Sequence, residues 1–150
     1  MLNLGEVVRT EPTLNFFVEH LETENLQIIA WDSGPSRTTI RLVELEYLRS
    51  AQGIIFVVDS SDHERLPEAK ASLKLLADTI NVPLLVFANK QDIEGAKCIK
   101  ELSENLDLNN LTDHLHQGRK WVVLGCNGYK GDGLKEGIDW LIQPVKVLEK

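Results

Sequence analysis

Cysteine is scarce in this chain: Cys98 and Cys126 are the only two, 28 residues apart, with no C-x-x-C pair and no Cys/His ladder. That excludes a disulfide framework and a cysteine-built zinc site, and reduced thiols fit an expected cytoplasmic location. Long apolar runs are missing too. The longest, around 54–58 and 84–88, fall far short of the roughly 20 residues that a membrane-spanning helix needs. The first residues do not lead from a basic stretch into an apolar one, so no signal peptide is expected. Positive charge is in deficit, 16 Lys and Arg against 23 Asp and Glu, for a formal charge of -7. Diffuse attraction to nucleic acid or anionic lipid is therefore disfavoured, and any polyanion must be held by a local site. Internal repeats and low-complexity tracts are absent as well.

What is present is an ordinary globular composition. Hydrophobic residues make up 43% and charged residues 26%, both signs interspersed, which argues against disorder and supports one core. A single domain over residues 1–150 is the expectation.

Strand-like runs occur at 16–20 and 26–31, and the short polar link 21–25 between them suits an antiparallel hairpin. Three further runs, 53–58, 84–88 and 121–126, are continuously apolar, as strands covered on both faces must be. Between them, Leu66, Ala69, Leu73, Leu76, Ala77 and Ile80 recur at helical spacing and predict one buried helix face. Leu134, Ile138, Leu141 and Val145 predict another, with Pro144 ending or kinking it. Ile40, Val43, Tyr47 and Ala51 suggest a third, and Ile99, Leu102 and Leu106 a fourth. Strands alternating with helices predict a parallel α/β sheet, whose ligands bind at the carboxyl ends of the strands.

The run 84–88 is followed by Asn89-Lys90-Gln91-Asp92. An N-K-x-D match arises by chance in roughly 2% of sequences this long, and more rarely still after a buried strand, so this loop is the leading candidate site. The Asp92 carboxylate can accept two hydrogen bonds from the adjacent N–H groups of a guanine edge, which adenine does not offer. Asn89 can fix the loop and meet the base, and the Lys90 stem is long enough to lie over the ring. Other clusters carry less. His114 and His116 with Asp113 lack a third metal ligand and read as an exposed loop. Ser36, Ser60 and Ser61 have no His/Asp partners that would support nucleophilic catalysis, and Cys98 reads as filler on a polar helix.

With these residues the chain resembles the small GTPases, and within them the Arf-like branch. Further likeness is carried by Leu4-Gly5-Glu6, Pro12-Thr13, Phe16, Val18-Glu19, Trp31-Asp32, Gly34, Gln52-Gly53, Ile55-Phe56-Val57-Val58-Asp59-Ser60, 85–90 and Gly131-Asp132-Gly133-Leu134. The resemblance implies a P-loop NTPase fold of the small-G-protein type, mostly parallel with an antiparallel hairpin and incomplete at the N-terminus. It implies GTP or GDP with Mg2+ as ligands. Asn89, Lys90 and Asp92 match the guanine-specificity loop, and Cys126-Asn127 the loop that offers backbone N–H to the base oxygen. Thr13 matches the threonine that binds magnesium and meets the terminal phosphate. Asp32 matches the carboxylate holding the magnesium water shell, and Gly34 the glycine after it. Phe16, Trp31 and Tyr47 match the aromatic triad with which Arf-like proteins grip effectors.

The pattern also has departures. Asn15 stands where Arf-like proteins carry glycine, and Asn127, in place of a small alanine, is expected to crowd the base contact. Pro35 replaces a glycine whose N–H bonds the terminal phosphate, and proline has no N–H. Ser36 replaces the glutamine that orients attacking water, and one extra residue lies between Asp32 and Tyr47. No GxxxxGK followed by Ser or Thr precedes Thr13, so weak or absent nucleotide binding and no catalytic residue are expected. Leu2 stands where the family's lipid-bearing glycine would be, so no direct membrane anchor is expected, and peripheral association would come through partners. Two functional readings follow. One is an Arf-like guanine-nucleotide switch in membrane traffic, impaired in binding and hydrolysis, whose effectors and regulators dock on its switch surface. The other is a nucleotide-independent pseudo-GTPase acting as a protein-binding module.

Overall fold

The computed structural model describes residues 16–23, 26–33, 48–79, 81–113 and 120–143. They fall into two units, Met1–Ser50 and Ala51–Lys150.

In the first unit, β1 (Phe16–Thr23) pairs antiparallel with β2 (Leu26–Ser33). The register sets Val18 opposite Trp31 and Thr23 opposite Leu26, so β1 runs three residues past the expected boundary at His20. The link of 21–25 read from its polarity is shortened to two residues, because pairing carries the backbone N–H and C=O groups of Leu21, Glu22 and Thr23 into the ladder. Residues 48–50 are helical and Ala51 is not. The other members of that predicted helix face, Ile40, Val43 and Tyr47, lie outside the described residues.

The second unit is built on a parallel sheet in the order β3 (Ile54–Asp59), β4 (Leu84–Asn89), β5 (Trp121–Gly125). α1 (Leu66–Thr79) connects the first pair, and α2 (Ile99–Asn105) with α3 (Leu108–Asp113) the second. α4 (Leu134–Ile142) follows β5. Leu84 through Ala88 are all buried, as the apolar run requires of a central strand. On one face Leu85 and Phe87 form a core with Cys126, against which Ile55, Val122, Leu124, Leu134, Trp140 and Leu141 pack. Leu84, Val86 and Ala88 alternate onto the opposite face.

Helix α1 buries Leu66, Leu73 and Ala77, three of the positions its periodicity selected. The fourth predicted helix forms as α2, capped at Leu106, and α3 follows it as a helix that the spacing did not mark. Leu102 and Leu106 are fully buried, and Asp107 takes a left-handed backbone at φ 59° that ends one helix and starts the next. Its carboxylate there receives the Asn110 amide at 2.6 Å and the Lys70 ammonium at 2.9 Å. Asp113, read as part of an exposed loop, ends α3 instead. Helix α4 stops at Ile142, two residues before Pro144, whose ring disfavours helical backbone in the residue preceding it.

Strand β3 departs from the expectation of cover on both faces. Ile54 and Val58 are buried, but Val57 is 60% exposed, since the core under α4 takes in Ile55 but not Val57.

Gly137 sets how closely α4 approaches the sheet. A Cβ there would lie 2.5 Å from the Phe87 ring, inside any allowed contact. Gly137→Ala is therefore expected to destabilise the chain by about 1–3 kcal/mol through overpacking, although alanine is the better helix former by about 1 kcal/mol. Urea denaturation of the single variant, and of the double variant with Phe87→Leu, checks this: the smaller side chain should recover part of the loss.

Candidate functional site

Parallel register brings three loops to one edge of the sheet. Asp59 stands opposite Asn89, and Ala88 opposite Gly125, so the segments following β3, β4 and β5 leave the sheet side by side at the strand carboxyl ends. In open α/β sheets this is where ligands bind.

Asn89 joins two of these loops. Its Oδ1 accepts the N–H of Lys90 at 2.8 Å and the N–H of Gly128 at 2.9 Å, and the Cys126 thiol donates to it at 3.6 Å. A Cβ at Gly128 would meet the Asn89 amide at 3.4 Å, an ordinary van der Waals contact, so it is the hydrogen bond rather than the lack of a Cβ that sets this approach. The side chain thus serves as the acceptor that local backbone pairing leaves unsupplied. This is the loop-fixing part of the role read for Asn89.

Lys90 follows in a left-handed conformation, φ 65°, which costs a non-glycine residue of order 1 kcal/mol and needs support from its surroundings. The support is visible at three points. The Lys90 N–H bonds Asn89, its carbonyl accepts the Ile93 N–H at 3.1 Å, and its ammonium donates to Asp59 Oδ2 at 2.7 Å. Asp59 also accepts the N–H of Ser61 at 3.0 Å and its hydroxyl at 2.7 Å. Partial burial works against the Asp59 charge, yet the hydrogen bonds from Lys90 and Ser61 outweigh it and hold the carboxyl below its ordinary value. The Lys90 stem is therefore anchored at both ends and spans from the β4 loop to the β3 loop.

Asp92 is exposed, and among the described residues no hydrogen bond or ion pair engages its carboxylate. Its two oxygens stand ready to accept from a ligand. Cys126 and Asn127 differ from the reading that aimed their backbone N–H groups at a base. Cys126 N–H donates to Ala88 O at 2.9 Å and Asn127 N–H to Asp132 O at 3.0 Å. The Asn127 side chain is turned into its own loop, where Oδ1 accepts the N–H groups of Tyr129 and Lys130, each at 3.0 Å. It shapes the turn. Burial pushes the Cys126 thiol up from its ordinary value, so it is a packing group more than a nucleophile.

Several residues that sequence reasoning passed over take part. Gln91, the variable position of N-K-x-D, donates its amide to Ser60 Oγ at 2.8 Å and to Lys97 O at 3.0 Å. Ser60 and Ser61, read as lacking partners, are thus both bonded, though to structural neighbours. His63 Nε2 meets Gly95 O at 2.9 Å, a further tie between the β3 and β4 loops. Cys98 sits at the N-terminal cap of α2, with its N–H on Glu101 Oε2 at 2.9 Å. The available signal was position: 59–61 directly follow the apolar run 53–58, as 89–92 follow 84–88.

The phosphate and magnesium half of the pattern is placed only in part. Asp32 lies in β2 opposite Phe17, while Phe16 and Trp31 of the aromatic triad lie in β1 and β2. Thr13, Gly34 and Tyr47, with Asn15, Pro35, Ser36, His114 and His116, lie outside the described residues. Among the described residues, no group of three His, Cys, Asp or Glu side chains gathers as for a metal ion.

Two outcomes follow from this geometry. Asp59, with its pKa depressed in the folded state, contributes stability that is present above about pH 4, its unfolded value, and lost as pH falls through the folded value. Asp59→Asn should therefore destabilise the chain at pH 7, with the difference from wild type shrinking below about pH 4, as read by denaturation at several pH values. Asn89→Ala leaves two backbone donors unsupplied and should cost about 1–3 kcal/mol. Amide exchange should then accelerate first at Lys90 and Gly128.

Comparison with known proteins places the chain in a family. The profile of the ADP-ribosylation factor family matches residues 1–145. ADP-ribosylation factor-like protein 1 of Saccharomyces cerevisiae is 41% identical over 148 residues, covering 97% of this chain and 78% of the relative. ADP-ribosylation factor F of Dictyostelium discoideum is 40% identical over 146 residues, 94% of this chain and 74% of the relative. Among solved structures, the Arl6 BBS3 small GTPase from Trypanosoma brucei, which holds the nucleotide analogue GppNp, superposes with a TM-score of 0.72 at 32% identity, covering 93% of this chain and 83% of that one. With a strand-end loop set of this kind and likeness over nearly its whole length, the chain belongs to the ADP-ribosylation factor family of small GTPases.

Proposed function

We propose that this chain is a guanine-nucleotide-binding member of its family that selects the base through Asn89, Lys90 and Asp92 and is impaired in holding and hydrolysing the terminal phosphate. The observation that carries the reading is the N-K-x-D loop itself. Asn89 fastens it to the β5 loop, and Asp92 is left exposed with no partner among the described residues. A carboxylate so placed accepts from the N1 and exocyclic amine positions of guanine, and faces an unprotonated ring nitrogen in adenine. The described residues fit the base half of the ligand: the Gly128 N–H ties the β5 loop to Asn89 at 2.9 Å, and the tethered Lys90 stem offers an apolar flank. Cys126 and Asn127 would shape this pocket from below by their packing and turn. Thr13, Asp32 and Gly34 are the residues that would hold magnesium and the phosphates, the ion supplying charge neutralisation there.

Impairment rests on Pro35 and Ser36. One cannot donate an N–H to a terminal phosphate, and the other is too short to orient water. On this reading residues 1–150 work as one domain in membrane traffic, with effectors and regulators gripping Phe16, Trp31 and Tyr47. Its place is cytoplasmic, reaching membranes through partners, and nucleic acid is no partner at a net charge of -7. No helix among the described residues is long and apolar enough to cross a membrane.

Titration of the purified chain with GDP, GTP and ADP, followed by NMR at millimolar concentration, tests the proposal. GDP should bind in preference to ADP, GTP no more tightly than GDP, and GTP turnover with Mg2+ should stay at background. Asp92→Ala should lower GDP affinity at least about a hundredfold, from two lost charge-assisted hydrogen bonds of about 1.5–3 kcal/mol each. Equal uptake of ADP and GDP would overturn base selection. Uptake of neither by a folded chain would favour the nucleotide-independent binding module.

A further inference from the structure

We propose that Gln91 is a positioning residue, the brace that ties the three strand-end loops into one unit and thereby sets where the Asp92 carboxylate stands. The proposal rests on the guanine-pocket reading for its functional clause, and on bond geometry for the brace.

Gln91 touches all three loops. Its carboxamide nitrogen donates one hydrogen to Ser60 Oγ at 2.8 Å, in the loop after β3, and the other to Lys97 O at 3.0 Å, at the far end of the loop after β4. Its backbone N–H points to Cys126 O at 3.4 Å, at the start of the loop after β5. Its stem lies against Gly125, where a Cβ would come within 3.3 Å of the Gln91 Cγ. Ser60 is fully buried, so the acceptor is fixed by the core. Its backbone is bonded on both sides, the N–H to Asn89 O at 3.0 Å and the carbonyl from Lys97 N at 2.9 Å. The result is a closed circuit of bonds running Ser60, Gln91, Lys97 and back to Ser60.

Asp92 is the next residue in the chain, and its own carboxylate has no partner among the described residues. Its direction is therefore imposed through the peptide it shares with Gln91. A binding group oriented by its neighbour's hydrogen bonds is a general way to preorganise a site. Glutamine suits the position because one nitrogen carries two donors. Glutamate has the same shape and no donor at neutral pH, and it would set a charged oxygen against the Lys97 carbonyl.

Amide hydrogen exchange on the purified chain tests the brace without any nucleotide. Gln91→Glu and Ser60→Ala are compared with wild type, the second variant keeping the test open should the first fold poorly. In both, Gly128 should exchange about tenfold faster, the factor set by the net worth of one hydrogen bond, although no bond joins Gly128 to either substituted side chain. Val86, in the centre of β4, should not change. Acceleration confined to residues 91–97 would overturn the proposal, because it would make Gln91 a local loop contact only.

A second measurement reads the positioning itself. Inosine diphosphate lacks the exocyclic amine that Asp92 would accept from, so the ratio of GDP to IDP affinity, measured by NMR titration, reports the carboxylate's placement. Gln91→Glu should bring that ratio about tenfold nearer to unity, again the worth of one hydrogen bond. A ratio unchanged from wild type would overturn the positioning role. If wild type takes up neither nucleotide, the base-recognition clause fails together with the pocket reading, and the exchange result alone decides the brace.

Discussion

Burial of β4 between two parallel neighbours is the constraint on which the rest of the second unit depends. With Leu84 to Ala88 all out of water, each backbone N–H and C=O of the strand must find its partner in β3 or β5, which locks both registers. A slip of one residue would turn Leu85 and Phe87 away from the core under α4. The same lock decides which strand ends stand level. Asp59 is brought beside Asn89 and Gly125 beside Ala88, and the three loops become neighbours without any contact of their own having to pull them together.

On that platform the loops are held by side chains that act as surrogate backbone. Asn89 supplies an acceptor for Gly128, Asp59 for Ser61, Asn127 for Tyr129 and Lys130. Each removes a donor from the list of groups that a ligand-free loop would otherwise leave to water. Support of this kind lets Lys90 keep a left-handed backbone, and leaves Asp92 exposed.

Much of the sheet was legible in the residues. The runs 53–58, 84–88 and 121–126 each coincide with a parallel strand to within one residue at either end, because a buried strand needs unbroken apolar side chains. The face of α1 was equally plain. Less legible were the features where one residue's backbone overrides a pattern. Asp107 separates α2 from α3, a helix that the apolar spacing did not mark, through a single left-handed turn, and β1 extends through the polar Glu22 and Thr23 because ladder pairing does not depend on polarity. At the site, the motif singled out Asn89, Lys90 and Asp92, but Gln91 is the variable letter in it and so drew no notice.

By itself the sequence determined where buried strands and amphipathic helices lie, that an N-K-x-D loop follows one of those strands, and that its likeness is to Arf-like GTPases. These are local properties, set by spacing within a strand, a turn or a loop. Only the tertiary structure decided that Lys90 would meet Asp59, Gln91 would meet Ser60 and Asn89 would meet Gly128. Those partners are more than 30 residues apart in the chain. Nothing in their spacing brings them together; the parallel register of the sheet does, by ending three distant strands at one edge.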